Sequence, residues 1–122
     1  MLLPGLVVTR PAQAQTFSIL YSFSAGCSPF AGLIRDAAGN LCGTCLDPVT
    51  FTRGVVFKLD PSGKETVLHS FAGYPTDGAS PYAGLVRDAA GNLYGTTRDG
   101  GAYGDGAVFK LDTTGSETLL HS

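Results

Sequence analysis

The feature that most constrains the fold of this chain is an internal repeat with an offset of 52 residues. The segment SPFAGLIRDAAGNLCGT at 28–44 returns as SPYAGLVRDAAGNLYGT at 80–96, with three differences in seventeen positions. The segment VFKLDPSGKETVLHS at 56–70 returns as VFKLDTTGSETLLHS at 108–122, at the same offset and without a gap. A period near 50 residues is typical of propeller blades and related arrays. The sequence therefore predicts two copies of one supersecondary unit.

Each unit is predicted to form four short antiparallel strands, so that the whole chain is all-β. In the second copy, AGLVRD and NLYGTT flank a tight turn at 88–92, and GAVFKLD and ETLLHS flank another at 112–115. The first copy has the matching turns at 36–40 and 60–63. Each turn contains a glycine, which adopts positive φ without steric cost. No segment shows the apolar spacing of a helix.

The strand VFKLD indicates how the units pack. Phe109 and Leu111 fall on one face of this strand, and Val108 and Lys110 fall on the other. Faces that are half apolar suit a sheet that is stacked between neighbouring sheets, as propeller blades are. The expected fold is all-β, with two blade-like antiparallel repeats of 52-residue offset.

The repeat divides the chain into four segments. They are a truncated signal-peptide tail at 1–15, a leading strand and loop at 16–27, repeat 1 at 28–79 and repeat 2 at 80–122. The leading strand TFSILYSF looks like one more copy of KETVLHSF. Because propellers typically close with four to eight blades, we interpret the chain as a piece of a longer array. The alternative is a short protein with exposed blade faces.

The first fifteen residues differ in character from the repeats. MLLPGLVV is a short apolar run, and Ala12-Gln13-Ala14 fits the small-x-small pattern of a signal peptidase site. We interpret this segment as the end of a secretory signal, with an ordinary disordered N-terminus as the alternative. The apolar run is far below the roughly 20 residues that span a bilayer. The expected location is extracytoplasmic, either secreted or on the cell surface.

Composition argues against one class of partner. The 122 residues carry 8 basic and 10 acidic side chains, which gives a net charge of −2, and no Lys or Arg cluster occurs. Nucleic acids and anionic membrane surfaces are bound through clustered positive charge. Neither is therefore expected as a partner.

The second unit resembles the tandem GloVer repeats of bacterial surface and secreted proteins. The shared features are the GLVRDAAGNLYGTT run, the GGAYGDG loop and the VFKLD strand, and the resemblance covers nearly everything from Thr16 to Ser122. It implies an extracytoplasmic protein of many repeats with a separate surface anchor, and it attaches no activity to the repeat. Expected partners are further repeats or other subunits that cover the blade faces, and a glycan or protein ligand.

The cysteines suggest a redox or zinc site, but the repeat argues against one. Cys42 and Cys45 stand where the second copy has Tyr94 and Thr97, so the pair is a divergence within a scaffold strand. In an extended strand their α-carbons lie about 10 Å apart, beyond the roughly 7 Å limit for a disulfide. A thioredoxin-like redox site needs the cysteine pair at the start of a helix, and no helix is predicted after it. A zinc site needs four ligands, and no second cysteine pair supplies the other two. Cys27 makes the total odd, and a bridge to Cys42 or to Cys45 stays open.

The two histidines occupy the same repeat position. His69 and His121 each precede a serine, but adjacent strand residues point to opposite faces, so neither histidine activates its neighbour within one strand. We expect both to have a scaffold role, with a ring nitrogen bonded to backbone or water.

Recurring carboxylates are the remaining candidates for chemistry. Paired acids could hydrolyse glycosides across a cleft, but an aspartate that begins a hairpin loop more often bonds the backbone two residues on. The recurring acids are Asp36, Asp88, Glu65 and Glu117.

The stretch DGGAYGDG at 99–106 is a candidate calcium loop, in which Asp99 and Asp105 could supply oxygen ligands. Its spacing is not that of an EF-hand, and the first copy keeps one carboxylate there and introduces Arg53. We expect a solvated loop.

Two function classes remain. The first is a non-catalytic secreted or cell-surface repeat module, structural or ligand-binding, whose variable loops at 45–55 and 97–107 carry any partner specificity. The second is part of a carbohydrate-active propeller whose catalytic acids lie partly in other repeats. No catalytic, cofactor-binding or metal-ligating residue is assigned, and no cofactor is expected.

Overall fold

The structure is a computed structural model, and it describes Gly5 and residues 15–24, 26–46 and 53–122. Within these ranges the chain forms ten strands and no helix, which confirms the all-β prediction. This part of the chain therefore has no helix that could cross a membrane. The strands are β1 Ile34–Arg35, β2 Leu41–Cys45, β3 Val55–Leu59, β4 Glu65–Ser70, β5 Gly78–Ala79, β6 Val86–Arg87, β7 Leu93–Thr97, β8 Asp99–Gly100, β9 Ala107–Leu111 and β10 Glu117–His121.

Two predicted features lie outside the described residues. They are the signal peptidase site Ala12-Gln13-Ala14 and the stretch 47–52 of the first variable loop. The second variable loop, at 97–107, is described in full.

Each repeat forms a four-stranded antiparallel sheet whose strands are arranged in chain order, with β8 of a separate sheet between β7 and β9 in the sequence. Repeat 1 has the order β1-β2-β3-β4, and repeat 2 has the order β6-β7-β9-β10. Leu41 of β2 pairs with Leu59 of β3, and Leu93 of β7 pairs with Leu111 of β9, which is the same register one repeat later. These sheets confirm the two four-stranded repeats. β5 and β8 form a separate two-stranded sheet next to repeat 2.

The last strand of each repeat carries the same irregularity. In β4 the register shifts between Val67 and His69, and in β10 it shifts between Leu119 and His121. A β-bulge inserts one extra residue and re-aims the side chains that follow it. Both histidines therefore follow a bulge, which simple alternation along the strand does not predict.

The hairpin turns lie where the glycines predict them. In the first turn, Gly39 has a φ of 86° and donates its N–H to the Asp36 carbonyl over 3.1 Å. The Asp36 carboxylate accepts the N–H groups of Ala38 and Asn40, each over 2.9 Å. This is the backbone role predicted for the turn aspartates.

The core joins the two repeats. Phe109 is fully buried and Leu111 is nearly so, whereas Val108 is partly exposed, as the strand pattern predicts. Gly95 leaves room for the Phe109 ring, because a Cβ there would lie 2.6 Å from the ring Cζ. The buried cluster that combines both repeats consists of Cys42, Val56, Phe71, Leu85, Leu93, Phe109 and Leu111.

The leading segment packs against repeat 1 as the end of β4 packs against repeat 2. The rings of Phe23 and Phe57 meet edge to face with centroids 5.0 Å apart, and those of Phe71 and Phe109 do the same at 5.1 Å. Residues 15–24 nevertheless form no strand in the structure. The segment predicted as a leading strand is thus present as a packed segment without ladder hydrogen bonds.

Candidate functional site

Three polar side chains from three different elements meet at the junction of the two repeats. His69 comes from β4, Asp77 from the connector between the repeats (residues 72–79), and Glu117 from the first position of β10. One potential ligand atom from each side chain lies within 4.8 Å of the others. His69 Nε2 and Asp77 Oδ2 are 3.1 Å apart. We call this group the junction cluster.

The imidazole of the junction cluster is held by its neighbours in the chain. His69 follows the β4 bulge, and its ring packs edge to face on Phe71 with centroids 4.8 Å apart. Phe71 is buried against Phe109 of the second repeat. The histidine is therefore positioned by the contact that joins the repeats.

The connector backbone fixes the aspartate of the cluster. Asp77 Oδ2 accepts the Ala72 N–H over 2.7 Å, and Oδ1 accepts the Gly78 N–H over 2.6 Å. The Asp77 carbonyl accepts the Gly101 N–H over 2.8 Å, which ties the connector to the second variable loop. Gly100 permits this close approach, because a Cβ there would lie 2.5 Å from that carbonyl oxygen.

The glutamate is the least satisfied member of the cluster. Glu117 Oε1 is buried and has no hydrogen-bond partner. Burial, and after it the nearby negative charge of Asp77, raises the pKa of the Glu117 carboxyl above its ordinary value, while His69 opposes the shift. Buried polar atoms in proteins usually have a partner, so this carboxyl is suited to receive a proton or a cation.

The equivalent junction at the start of repeat 1 is simpler. There Glu65, the counterpart of Glu117, accepts the hydroxyl proton of Tyr21 over 2.7 Å. Tyr21 stands where β4 has His69 in the alignment of TFSILYSF with KETVLHSF. One donor meets one acceptor at this junction, whereas two carboxylates and one imidazole meet at the other.

The prediction for the histidines is wrong in its detail. His69 bonds a carboxylate rather than backbone or water, and His121, at the same repeat position, is exposed. The two environments differ because a connector and a further repeat cover the end of β4.

Sequence reasoning missed Asp77 because, outside the glycine-rich loop, it weighed only the acids that recur. Asp77 belongs to the stretch between Phe71 and Ser80, which is four residues longer than the stretch between Phe23 and Ser28. This difference in connector length is the signal that could have singled it out.

The structure chooses between the two disulfides that the sequence left open. Cys27 is bonded to Cys45, with α-carbons 5.4 Å apart, and Cys42 is a buried free thiol. Burial raises the pKa of the Cys42 thiol above its ordinary value. Because the thiolate is the reactive and metal-binding form, Cys42 is suited to packing rather than to chemistry.

The other candidate acids are accounted for by local contacts. Asp99 accepts hydrogen bonds from the Arg98 guanidinium, the shorter being 2.9 Å, and Asp105 is exposed in the loop. Asp36 and Asp88 bond the backbone of their turns. Of the recurring acids, Glu117 is the one that meets another carboxylate, and that partner is the non-recurring Asp77.

Comparison with known proteins identifies the repeat. No curated protein and no protein of solved structure matches the chain. The Gloeobacter/Verrucomicrobia repeat matches residues 4–122, which is almost the whole sequence. The ungapped copies, the identical strand registers and this match lead to one conclusion: the chain belongs to the Gloeobacter/Verrucomicrobia repeat family.

Proposed function

We propose that the chain is a non-catalytic module of a propeller-like β-repeat array, which works outside the cytoplasm as a scaffold and binding surface. The observation that carries this proposal is that equivalent residues of the two repeats touch each other. Phe30 and Tyr82 are one repeat apart, and their ring centroids are 5.5 Å apart. A Cβ on Gly84 would lie 3.5 Å from the carbonyl oxygen of its counterpart Gly32.

Contact between equivalent positions favours a rotation between the copies. In a linear stack of sheets all equivalent positions are the same distance apart, roughly the 10 Å spacing of packed sheets. In a ring of four to eight blades, equivalent positions that are 5.5 Å apart lie about 4 to 7 Å from the axis. The segments that begin with Phe30 and Tyr82 therefore fit the inner edge of a propeller.

Crosslinking tests this arrangement. In a Cys42→Ala background, the pair Phe30→Cys and Tyr82→Cys is expected to be joined efficiently by a short bifunctional thiol reagent. The control pair, Ser62→Cys and Thr114→Cys, is also one repeat apart but lies in the hairpin turns. Equal crosslinking of both pairs would favour a linear stack and contradict the propeller.

Location outside the cytoplasm is supported by the disulfide. Disulfides persist in oxidising compartments and are rare in the cytosol, and Cys27 is bonded to Cys45. Fractionation of cells that carry the gene, followed by immunoblotting against the repeat, tests this point. Recovery of the protein in the cytosol with three reduced cysteines would contradict it.

A binding surface is supported by two exposed tyrosines. Tyr74, on the connector, is 61% exposed, and Tyr103, in the second variable loop, is 79% exposed. The loop approaches the connector, because a Cβ on Gly104 would lie 3.9 Å from Tyr74 Cδ2. Exposed aromatic rings on adjacent loops provide large, rigid contact area for a glycan or protein ligand.

Glycan-array binding with hydrolysis assays on the bound glycans tests this surface. We expect binding that Tyr103→Ala weakens, without release of sugar. Turnover by the wild-type protein would favour the alternative, a carbohydrate-active propeller, over a non-catalytic module.

A further inference from the structure

We propose that His69, Asp77 and Glu117 bind one divalent transition-metal ion, best suited to Zn²⁺, which links the two repeats. The three potential ligand atoms are an imidazole nitrogen and two carboxylate oxygens, all within 4.8 Å of one another. Zinc is bound in proteins by such nitrogen and oxygen donors. This site uses other side chains than the proposed binding surface of Tyr74 and Tyr103, although Asp77 shares the connector with Tyr74.

The spacing of the ligand atoms fits a shared ion after a small adjustment. Around a tetrahedral zinc with bonds of 2.0–2.2 Å, ligand atoms lie about 3.3 to 3.6 Å apart. His69 Nε2 and Asp77 Oδ2 are already 3.1 Å apart. Since no two of the three ligand atoms are more than 4.8 Å apart, the Glu117 carboxylate needs to move by about 1 Å to reach this spacing. A water molecule or an external ligand completes the fourth position.

The charges at the junction cluster call for a cation. Glu117 Oε1 is buried and has no hydrogen-bond donor, and Asp77 places a second carboxylate beside it. Among the described residues, the ion pairs are His69 with Asp77 and Arg98 with Asp99, so no Lys or Arg pairs with Glu117. A divalent ion neutralises both carboxylates and supplies the missing partner of Oε1.

Outer contacts hold the central ligand in place. The Asp77 carboxylate accepts backbone N–H groups from Ala72 and Gly78, over 2.7 Å and 2.6 Å. Hydrogen bonds to ligating carboxylates orient them and tune metal affinity. The connector that carries Asp77 is thus pre-organised, which reduces the entropic cost of assembling the site.

The first junction provides an internal control for the proposal. Tyr21 and Glu65 satisfy each other there with one hydrogen bond, and the shorter connector supplies no counterpart of Asp77. Among the described residues, such a set of ligands comes together at the second junction alone, and one ion per chain is expected.

Titration of the full chain with ZnCl₂, after removal of metals with a chelator, tests the proposal. We expect one Zn²⁺ per chain by calorimetry and a rise in Tm that the chelator reverses. His69→Tyr introduces the residue that the first junction uses, so the fold should be kept while affinity falls at least about 100-fold. Asp77→Asn should have a similar effect. His121→Tyr, at the exposed equivalent position, should bind zinc as the wild type does.

Cobalt provides a second readout. The Co²⁺ complex should absorb in the visible as a site of nitrogen and oxygen ligands does, without the charge-transfer band of a thiolate. Such a band would place the ion on Cys42 and overturn the assignment. So would a wild type that takes up no zinc, a loss of binding in His121→Tyr, or full binding in both His69→Tyr and Asp77→Asn.

Discussion

At the scale of single residues, four aspartates hold the hairpin turns of both repeats in the same way. Each accepts the backbone N–H of the residue four positions further on. In each the pKa of the carboxyl lies below its ordinary value, first because a side chain of the turn donates a hydrogen bond to it and then because backbone N–H groups do, and both favour the charged form. The four residues are Asp36, Asp60, Asp88 and Asp112.

Acid should therefore weaken the fold through these turns. A side-chain hydrogen bond from Asn92, with further donors, lowers the pKa of Asp88 from 3.8 to about 2. A lowered folded-state pKa gives stability that is present above the ordinary pKa and is lost as pH falls through the folded-state value. We expect the free energy of unfolding to decline between about pH 4 and pH 2, and Asp88→Asn to reduce this decline. Urea titrations across that range measure it, with Asp105→Asn as the control. An unchanged slope in Asp88→Asn would contradict the assignment.

Gly43 of β2, like Gly95 of β7, is required for packing and not for its backbone angle. A Cβ on Gly43 would lie 2.6 Å from Leu33 Cδ2 and 2.9 Å from Phe57 Cζ, whereas a Cβ on Gly32 would meet nothing within 4 Å. We expect Gly43→Ala to lower the free energy of unfolding by roughly 1–3 kcal/mol through overpacking. Gly32→Ala is the matched control and should be close to neutral. Chemical denaturation of both variants measures the two changes in the free energy of unfolding. If they are equal, neighbouring side chains make room for the added methyl group at Gly43, and the prediction is wrong.

At the scale of elements, a disulfide links the segment before β1 to the end of β2, and the equivalent segment 52 residues later has no cysteine at either position. Cys27 of the leading segment is bonded to Cys45 of repeat 1, whereas the positions 52 residues later are Ala79 and Thr97. Substitution of Cys45 by Thr therefore removes a covalent link, although substitution of Cys42 by Tyr alone only restores the residue of the second copy. The exchange of both residues to recover LYGTT is therefore expected to lower stability, although the repeat alone suggests a neutral change.

Removal of the disulfide should cost stability without changing the fold. The bridge joins residues separated by 18 positions, and a loop of this size corresponds to about 3 kcal/mol in the chain-entropy account. We expect Cys27→Ala with Cys45→Thr to keep the β-sheet circular dichroism and to lower the urea midpoint by a corresponding amount. Reductant should lower the midpoint of the wild type and leave that of the variant unchanged. A reductant effect on both proteins would point to Cys42 instead.

At the scale of the whole molecule, the repeats are expected to unfold together. Their shared core includes Phe71, which is 4% exposed and packs on Phe109 of the other repeat. Thr44 of repeat 1 also donates its hydroxyl to the Ala83 carbonyl of repeat 2, over 3.0 Å. Since the packed interface is shared, neither sheet buries its apolar face alone.

Truncation of the shared phenylalanine tests this coupling. Phe71→Ala should lower the free energy of unfolding by about 3–5 kcal/mol, as for other buried aromatic residues. Phe23→Ala, which removes the similar contact at the partly buried leading segment, should cost less. Calorimetry of the wild type should show one transition, and two well-separated transitions would contradict the shared core.

The sequence was informative wherever the copies agree. The ungapped offset predicted the sheets and turns, and the alternation around Phe109 predicted the buried face. The junction cluster was not predictable in this way, because Asp77 has no counterpart and its neighbours His69 and Glu117 come together only through tertiary packing. The β4 bulge likewise depends on how two strands pair, which composition and spacing do not specify.

The contact between Phe30 and Tyr82 has a consequence for how such a chain evolves by duplication. When a unit is copied, any residue at this position is placed against a duplicate of itself. A lysine or glutamate there would lie beside the same charge in the next copy and be repelled by it, whereas an aromatic ring packs favourably against another ring. At such a position, each duplication therefore favours residues that can pack against an identical side chain, whether or not the protein binds a partner molecule.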